Sequence, residues 1–127
     1  MEDSKRILVV DDDPDIGGAL KMMLEYYGYN VTLLNSAEQT EKTIQKNKID
    51  LVILDKLIAN INGVDVCSRI KKDSSTAHLP VLMISALPDI DKICLNAGAD
   101  YFISKPFDMQ HLVTTVSDLL SIRAKTI

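Results

Sequence analysis

The residues in this chain best suited to chemistry all stand directly behind short apolar runs. Asp11, Asp12 and Asp13 follow ILVV, Asp55 follows LVIL, Ser85 follows VLMI, and Lys105 follows YFIS. Carboxylates gathered into one crevice repel each other and drive each other's pKa upward unless a cation lies between them. Oxygen is the only donor type on offer, since no His or Cys stands near these positions, and oxygen donors select a hard cation. Magnesium suits a site of few carboxylates completed by water and phosphate, whereas calcium demands more protein oxygens. A lysine beside such a site meets phosphoryl charge, and a hydroxyl donates to a phosphoryl oxygen. The set points to phosphoryl transfer with a carboxylate nucleophile, provided the fold brings it together.

The elements behind these residues make that convergence plausible. Five runs, Ile7 to Val10, Val31 to Leu34, Leu51 to Leu54, Val81 to Ile84 and Tyr101 to Ile103, are continuously apolar and too short to be core helices. Strands look like this when helices cover both faces of a parallel sheet. Between them lie helical segments. The first runs from Pro14 to Tyr27, with Pro in its opening turn and Gly28 at its stop. Ser36 and Gln39 read as a capping box for a second, ending near Asn47. A third starts at Gly63 with Val64, Cys67 and Ile70 on one face, and a shorter fourth spans Asp89 to Ala97 before Gly98. The fifth is capped by Asp108 and carries an apolar stripe of Leu112, Val113, Val116, Leu119 and Leu120. Strand and helix alternate five times, which predicts an α/β fold with a doubly wound parallel sheet. Parallel strands end on one edge, so the candidate residues share a rim, where open α/β sheets bind ligands. If the first and third strands are neighbours, Asp12 faces Asp55.

Bulk properties narrow the field. The 127 residues are 46% hydrophobic, enough for one core, and the expected organisation is a single domain over 1–127. A formal net charge of -4 excludes a basic footprint for nucleic acid or an anionic membrane. Cys67 and Cys94 lack CxxC or Cys/His spacing, which fits a reducing compartment rather than a disulfide framework or zinc site. The polar start and the short first apolar run fit neither a signal peptide nor a membrane span, so a cytoplasmic location is expected.

Four segments together, ILVVDDDPDI, DLVILDKLIANINGVDVCSRIK, PVLMISA and AGADYFISKPF, resemble the response regulator receiver family, including its single-domain chemotaxis members. Their order and spacing carry the resemblance over nearly the whole chain. It implies a flavodoxin-like five-stranded sheet of order 2-1-3-4-5 with five helices. It further implies that Asp55 is the phosphoacceptor and a magnesium ligand, that Asp12 is a direct ligand, and that Asp11 acts mainly through water. The backbone carbonyl of Leu57 completes the protein's ligands, Ser85 holds the hydroxyl position, Lys105 before a cis Pro106 pairs with phosphate, and Phe102 holds the switch aromatic position. The implied partners are a histidine kinase or phosphotransfer protein and a downstream target or fused output domain, with a homodimer on phosphorylation among the expected assemblies. The output surface is the face of the fourth helix, fifth strand and fifth helix. The chain departs from the family pattern at Ala59, where proline is common, and in a shortened stretch between Ser85 and Gly98 that contains Pro88. Leu57 and Leu87 stand where side chains can flank the phosphoryl group, which predicts slow self-dephosphorylation.

Plainer readings exist for each residue. Asp11 to Asp13 can be an acidic turn capping a helix, Asp55 a strand-end turn residue, Ser85 a satisfied hydroxyl, Lys105 a surface lysine and Phe102 a core aromatic. Met22, Met23, Met83 and Met109 are expected to fill gaps in packing, and His78 and His111 to be exposed. Competing functions are a haloacid dehalogenase-like phosphatase, whose DxDx(T/V) pattern Asp11, Asp13 and Asp15 mimic loosely, and a receiver-like interaction module without phosphorylation. A flavin-binding domain of this topology needs a hydroxyl- and glycine-rich loop, and DDDPDIG repels phosphate unless a metal is present.

Overall fold

In the computed structural model the described residues are 4–55, 57–58, 61–85 and 91–125. The apolar runs become the strands β1 (Arg6–Val10), β2 (Asn30–Leu34), β3 (Leu51–Asp55), β6 (Val81–Ser85) and β7 (Tyr101–Ser104). A two-residue pair, β4 (Leu57–Ile58) and β5 (Ile61–Asn62), forms a small antiparallel hairpin after β3 that sequence reading missed. The main sheet is parallel throughout, in the order β2-β1-β3-β6-β7. Leaving the hairpin aside, this is the expected 2-1-3-4-5 arrangement.

The continuous apolarity of the strands has a direct structural meaning. Alternate residues of β1 serve opposite faces: Leu8 and Val10 join one core, Ile7 and Val9 the other, and all four are fully buried. The same alternation runs along β3, with Val52 and Leu54 against Leu51 and Ile53. Neither face is left for solvent, so no polar position alternates. The helices α1 (Pro14–Tyr26) and α5 (Met109–Lys125) cover one face through Leu20, Leu24, Leu112, Val116 and Leu120. The other face takes α2 (Thr40–Asn47), α3 (Gly63–Lys72) and α4 (Asp91–Asn96), through Ile44, Val66, Cys67, Ile70 and Cys94. Burying each such side chain contributes about 1.5–3 kcal/mol, which offsets the ordering cost of these short elements.

Helix ends follow local chemistry where the core allows it. Asp13 caps α1, and Gly28 at φ 95 and Gly98 at φ 108 take left-handed conformations just after α1 and α4. Asp108 accepts a hydrogen bond from the Gln110 amide at 2.9 Å at the start of α5. The capping box at Ser36 and Gln39 is not formed: α2 begins at Thr40, with Gln39 at its cap and no side-chain hydrogen bond there. The preceding turn instead carries Ala37 into the core, with Thr40 donating its amide to the Ala37 carbonyl, so burial overrides the local signal. In α3 the inward stripe is Gly63, Val66, Cys67 and Ile70, while Val64 is only partly buried. Both cysteines are buried, and His78 and His111 are exposed. Met83 and Met23 fill the core as expected, but Met22 is 74% and Met109 45% exposed, so those two are surface residues of α1 and α5 rather than packing.

Candidate functional site

The site lies where the parallel strands end. Val10 pairs with Leu54, so Asp11, the next residue of the chain, sits beside Asp55, the last residue of β3. One strand further, Asp55 pairs with Ile84 and Ser85 with Ser104, which brings the end of β6 and the start of the 105–108 loop to the same rim. The Lys105 amide donates to the Ser85 carbonyl at 2.9 Å and locks that register. Asp11 is held on its other side by its own amide, which donates to the Leu34 carbonyl of β2 at 3.0 Å.

Asp11, Asp12 and Asp55 each place a carboxylate oxygen within 4.8 Å of the others. They differ in environment: Asp11 is buried, Asp55 half-buried and Asp12 exposed. The Lys105 ammonium stands 3.4 Å from Asp55 Oδ2 and 4.0 Å from Asp11 Oδ2. Among the described residues Lys105 stands close to both Asp55 and Asp11, and the crowding of the carboxylates is legible at Asp11. Burial pushes its carboxyl above the usual carboxylate range, opposed by the hydrogen bond from the Asp13 amide; Asp55 then raises it further, Lys105 lowers it, and Asp12 raises it. Three carboxylates gathered on one rim offer hard oxygens and negative charge that a divalent cation neutralises, so these residues fit magnesium.

Of the residues singled out from sequence, the structure brings Asp11, Asp12, Asp55 and Lys105 together, with Ser85, 2% exposed, at the neighbouring strand end. Pro106 follows Lys105 through a cis bond, as the resemblance implies. Phe102 lies within β7 rather than on the rim, partly buried against the cluster that includes Val66, Cys67 and Cys94. Leu57 opens β4, and its side chain, like Lys56, Ala59, Leu87 and Pro88, lies outside the described residues. The reading of the acidic turn as a helix cap holds for Asp13, whose side chain caps α1, the signal being an Asp preceding Pro at the opening of a helix. What sequence reading missed is that the Asp13 amide donates to Asp11 Oδ1 at 2.9 Å. So the acidic run serves both purposes, Asp11 and Asp12 at the rim and Asp13 as the cap.

Residues 7–117 match the response regulator receiver domain. The chain belongs to that family, the receiver domains of two-component signalling systems. It is 38% identical over 117 residues to the DNA-binding dual master transcriptional regulator RpaA of Synechocystis, a match covering 91% of this chain and 48% of that protein. It is 35% identical over 114 residues to the DNA-binding response regulator MtrA of Mycolicibacterium smegmatis, covering 88% of this chain and 49% of that one. The chain therefore spans about half the length of the curated relatives it matches. Among solved structures it is similar to a CheY-like response regulator receiver domain protein from Methanospirillum hungatei, with a TM-score of 0.90 at 27% identity, covering 98% of this chain and 99% of that one. This receiver is a signalling domain, with its acidic cluster at the position the sequence indicated. No helix among the described residues is long and apolar enough to cross a membrane.

Proposed function

We propose that residues 1–127 form one receiver domain that accepts a phosphoryl group on Asp55 from a histidine kinase or phosphotransfer protein. The observation that carries this reading is the meeting of Asp55, Lys105 and Asp11 on one rim, with Lys105 3.4 Å from the acceptor carboxylate. Asp12 and Asp55 directly, Asp11 mainly through water, and the Leu57 carbonyl would hold a magnesium ion. When bound, that ion neutralises charge on the carboxylates and on the transferring group.

The chain's own residues do the rest. A carboxylate oxygen of Asp55 forms the new bond to phosphorus as the bond from phosphorus to the imidazole nitrogen of the donor breaks, and that nitrogen keeps the electron pair. Lys105 faces the charge that shifts onto the phosphoryl oxygens. Ser85, buried at the end of β6, donates its hydroxyl to one of those oxygens once they are present. The inward pull on β6 frees space toward which Phe102 rotates, and the face of α4, β7 and α5 changes shape for a downstream target, a fused output domain or a second copy of the chain. The chain acts as a phosphoacceptor signalling domain whose rim assists its own phosphorylation and the hydrolysis of the acyl phosphate.

The relatives' names describe DNA-binding regulators about twice this chain's length. For this chain the acidic balance argues against direct contact with nucleic acid, and any DNA-directed output would belong to a fused domain. The setting that fits is the cytoplasm, with no membrane contact. The deciding experiment is incubation with acetyl phosphate or beryllofluoride, with and without magnesium, on the native chain and on Asp55→Asn. One modification per native chain, dependent on magnesium and absent from the variant, is expected. Full uptake by Asp55→Asn removes the reading, and catalytic turnover of phosphate esters would favour the phosphatase alternative.

A further inference from the structure

Asp11 presents its two carboxylate oxygens to different neighbours. Oδ1 accepts the Asp13 amide at 2.9 Å, while Oδ2 is the oxygen 4.0 Å from the Lys105 ammonium. Which oxygen looks into the acidic cluster is therefore decided by where the Asp13 amide points. That amide is not free to wander. Asp13 sits in extended backbone, φ -92 and ψ 109; its Oδ1 accepts the Asp15 amide at 2.9 Å and the Ile16 amide at 3.4 Å, and its carbonyl accepts the Gly17 amide at 2.9 Å. Three hydrogen bonds fasten Asp13 to the first turn of α1, and its one remaining backbone group, the amide, fastens Asp11.

The first turn is itself seated on the sheet. A Cβ at Gly17 would stand 2.8 Å from Leu33 Cδ1, so the first turn of α1 packs against the Leu33 side chain of β2. Asp11 is tied to the same strand through the Leu34 carbonyl. Both ends of the 11–17 turn thus rest on β2, and the cap closes the path between them.

We infer that Asp13 is a positioning residue of the cation site, which aims the Asp11 carboxylate by capping α1 and directing its own amide. This rests on the site proposed above. Asp13 acts through hydrogen-bond geometry rather than through its charge, so a neutral residue able to cap should replace it. Residues that orient a ligand from outside are commonly worth about tenfold or more in metal affinity.

The test uses the full chain as Asp13→Ala, Asp13→Asn and Asp13→Ser, at a temperature where circular dichroism shows each to be folded. Magnesium alone is titrated by calorimetry, and exchange of the residue-13 amide is followed by NMR without metal. Asp13→Ala should bind magnesium about tenfold more weakly and lose amide protection, whereas the two capping variants keep the protection and stay within about twofold of native affinity. Native affinity in Asp13→Ala overturns the inference, because a residue serving only helix stability would leave a folded site intact. Asp13→Asn as weak as Asp13→Ala also overturns it, since charge would then be the cause. If the native chain takes up no magnesium, the cation site itself fails. Amide protection then still decides the positioning role, and equal protection in Asp13→Ala and native protein refutes it.

Discussion

Replacing Asp11 with Asn should stabilise the metal-free protein, although it weakens the site. In the native chain a buried carboxylate has Asp55 and Asp12 oxygens within 4.8 Å and the Lys105 ammonium at 4.0 Å. At an effective dielectric of about 20, one carboxylate at that outer limit repels by roughly 3.5 kcal/mol and the lysine attracts by roughly 4 kcal/mol. These nearly cancel. What remains is the cost of burying the Asp11 charge, which outweighs the hydrogen bond from the Asp13 amide, and the screened repulsion from exposed Asp12, so the ionised form is disfavoured and the pKa is raised. An Asn keeps the acceptor for the Asp13 amide and leaves Lys105 to Asp55 at 3.4 Å. We expect Asp11→Asn to gain about 1–3 kcal/mol in EDTA, roughly 4 °C in Tm for each kcal/mol in a chain of this size. With saturating magnesium the order should reverse, because the native site gains binding free energy that the variant forfeits. Urea and thermal unfolding followed by circular dichroism, with EDTA or magnesium, measure both. A metal-free variant less stable than native by about 1 kcal/mol or more refutes the reasoning.

Other outcomes follow from the same contacts. Lys105→Met should destabilise the metal-free protein by about 1–3 kcal/mol and slow uptake of phosphate from acetyl phosphate, because the ammonium 3.4 Å from Asp55 and 4.0 Å from Asp11 is lost; unchanged stability in EDTA would mean that solvent already screens the pair. Burial pushes the Cys67 thiol up to about 11, so the folded state resists ionisation that the unfolded chain accepts near pH 9. The stability tied to that thiol is present below pH 9 and should fall by about 2–3 kcal/mol as pH rises to about 11, a slope that Cys67→Ala should lack in urea unfolding. Two glycines should respond oppositely. Gly98→Ala places a Cβ 2.8 Å from Lys71 Cγ at φ 108, and Lys71 is held by the Leu79 carbonyl and Asp100, so a loss of at least about 1–2 kcal/mol is expected; Gly18→Ala enters open space within α1 and should gain up to about 1 kcal/mol by thermal unfolding. Finally, Leu57→Asn combined with Leu87→Glu should speed loss of the acyl phosphate, read by phosphate release; equal rates would remove any role for these positions.

The strands were legible because each carries a short, largely apolar run, as expected of a parallel sheet covered on both faces, and their ends erred by a single residue. The candidate site was legible for the same reason: parallel direction forces residues after Val10, Leu54, Ile84 and Ile103 onto one edge, whatever their separation in the chain. Local signals were read well where solvent sets them, as at Gly28, Gly98 and Asp108, and read badly where the core competes, as at Ser36 and Gln39, where burial of Ala37 set the start of α2. Met22 and Met109 misled because an apolar residue type does not say which way its helix faces.

Distances and burial were beyond sequence altogether. The run of three aspartates before Pro14 signals a helix cap, but it does not say that the first is buried and the second exposed, because that division depends on β2 reaching Leu34 and on α1 packing against the Leu33 side chain. Residue types and strand direction determined which groups meet. Tertiary packing alone decided how closely, in what environment and through which oxygen, because those depend on contacts between segments far apart in the chain.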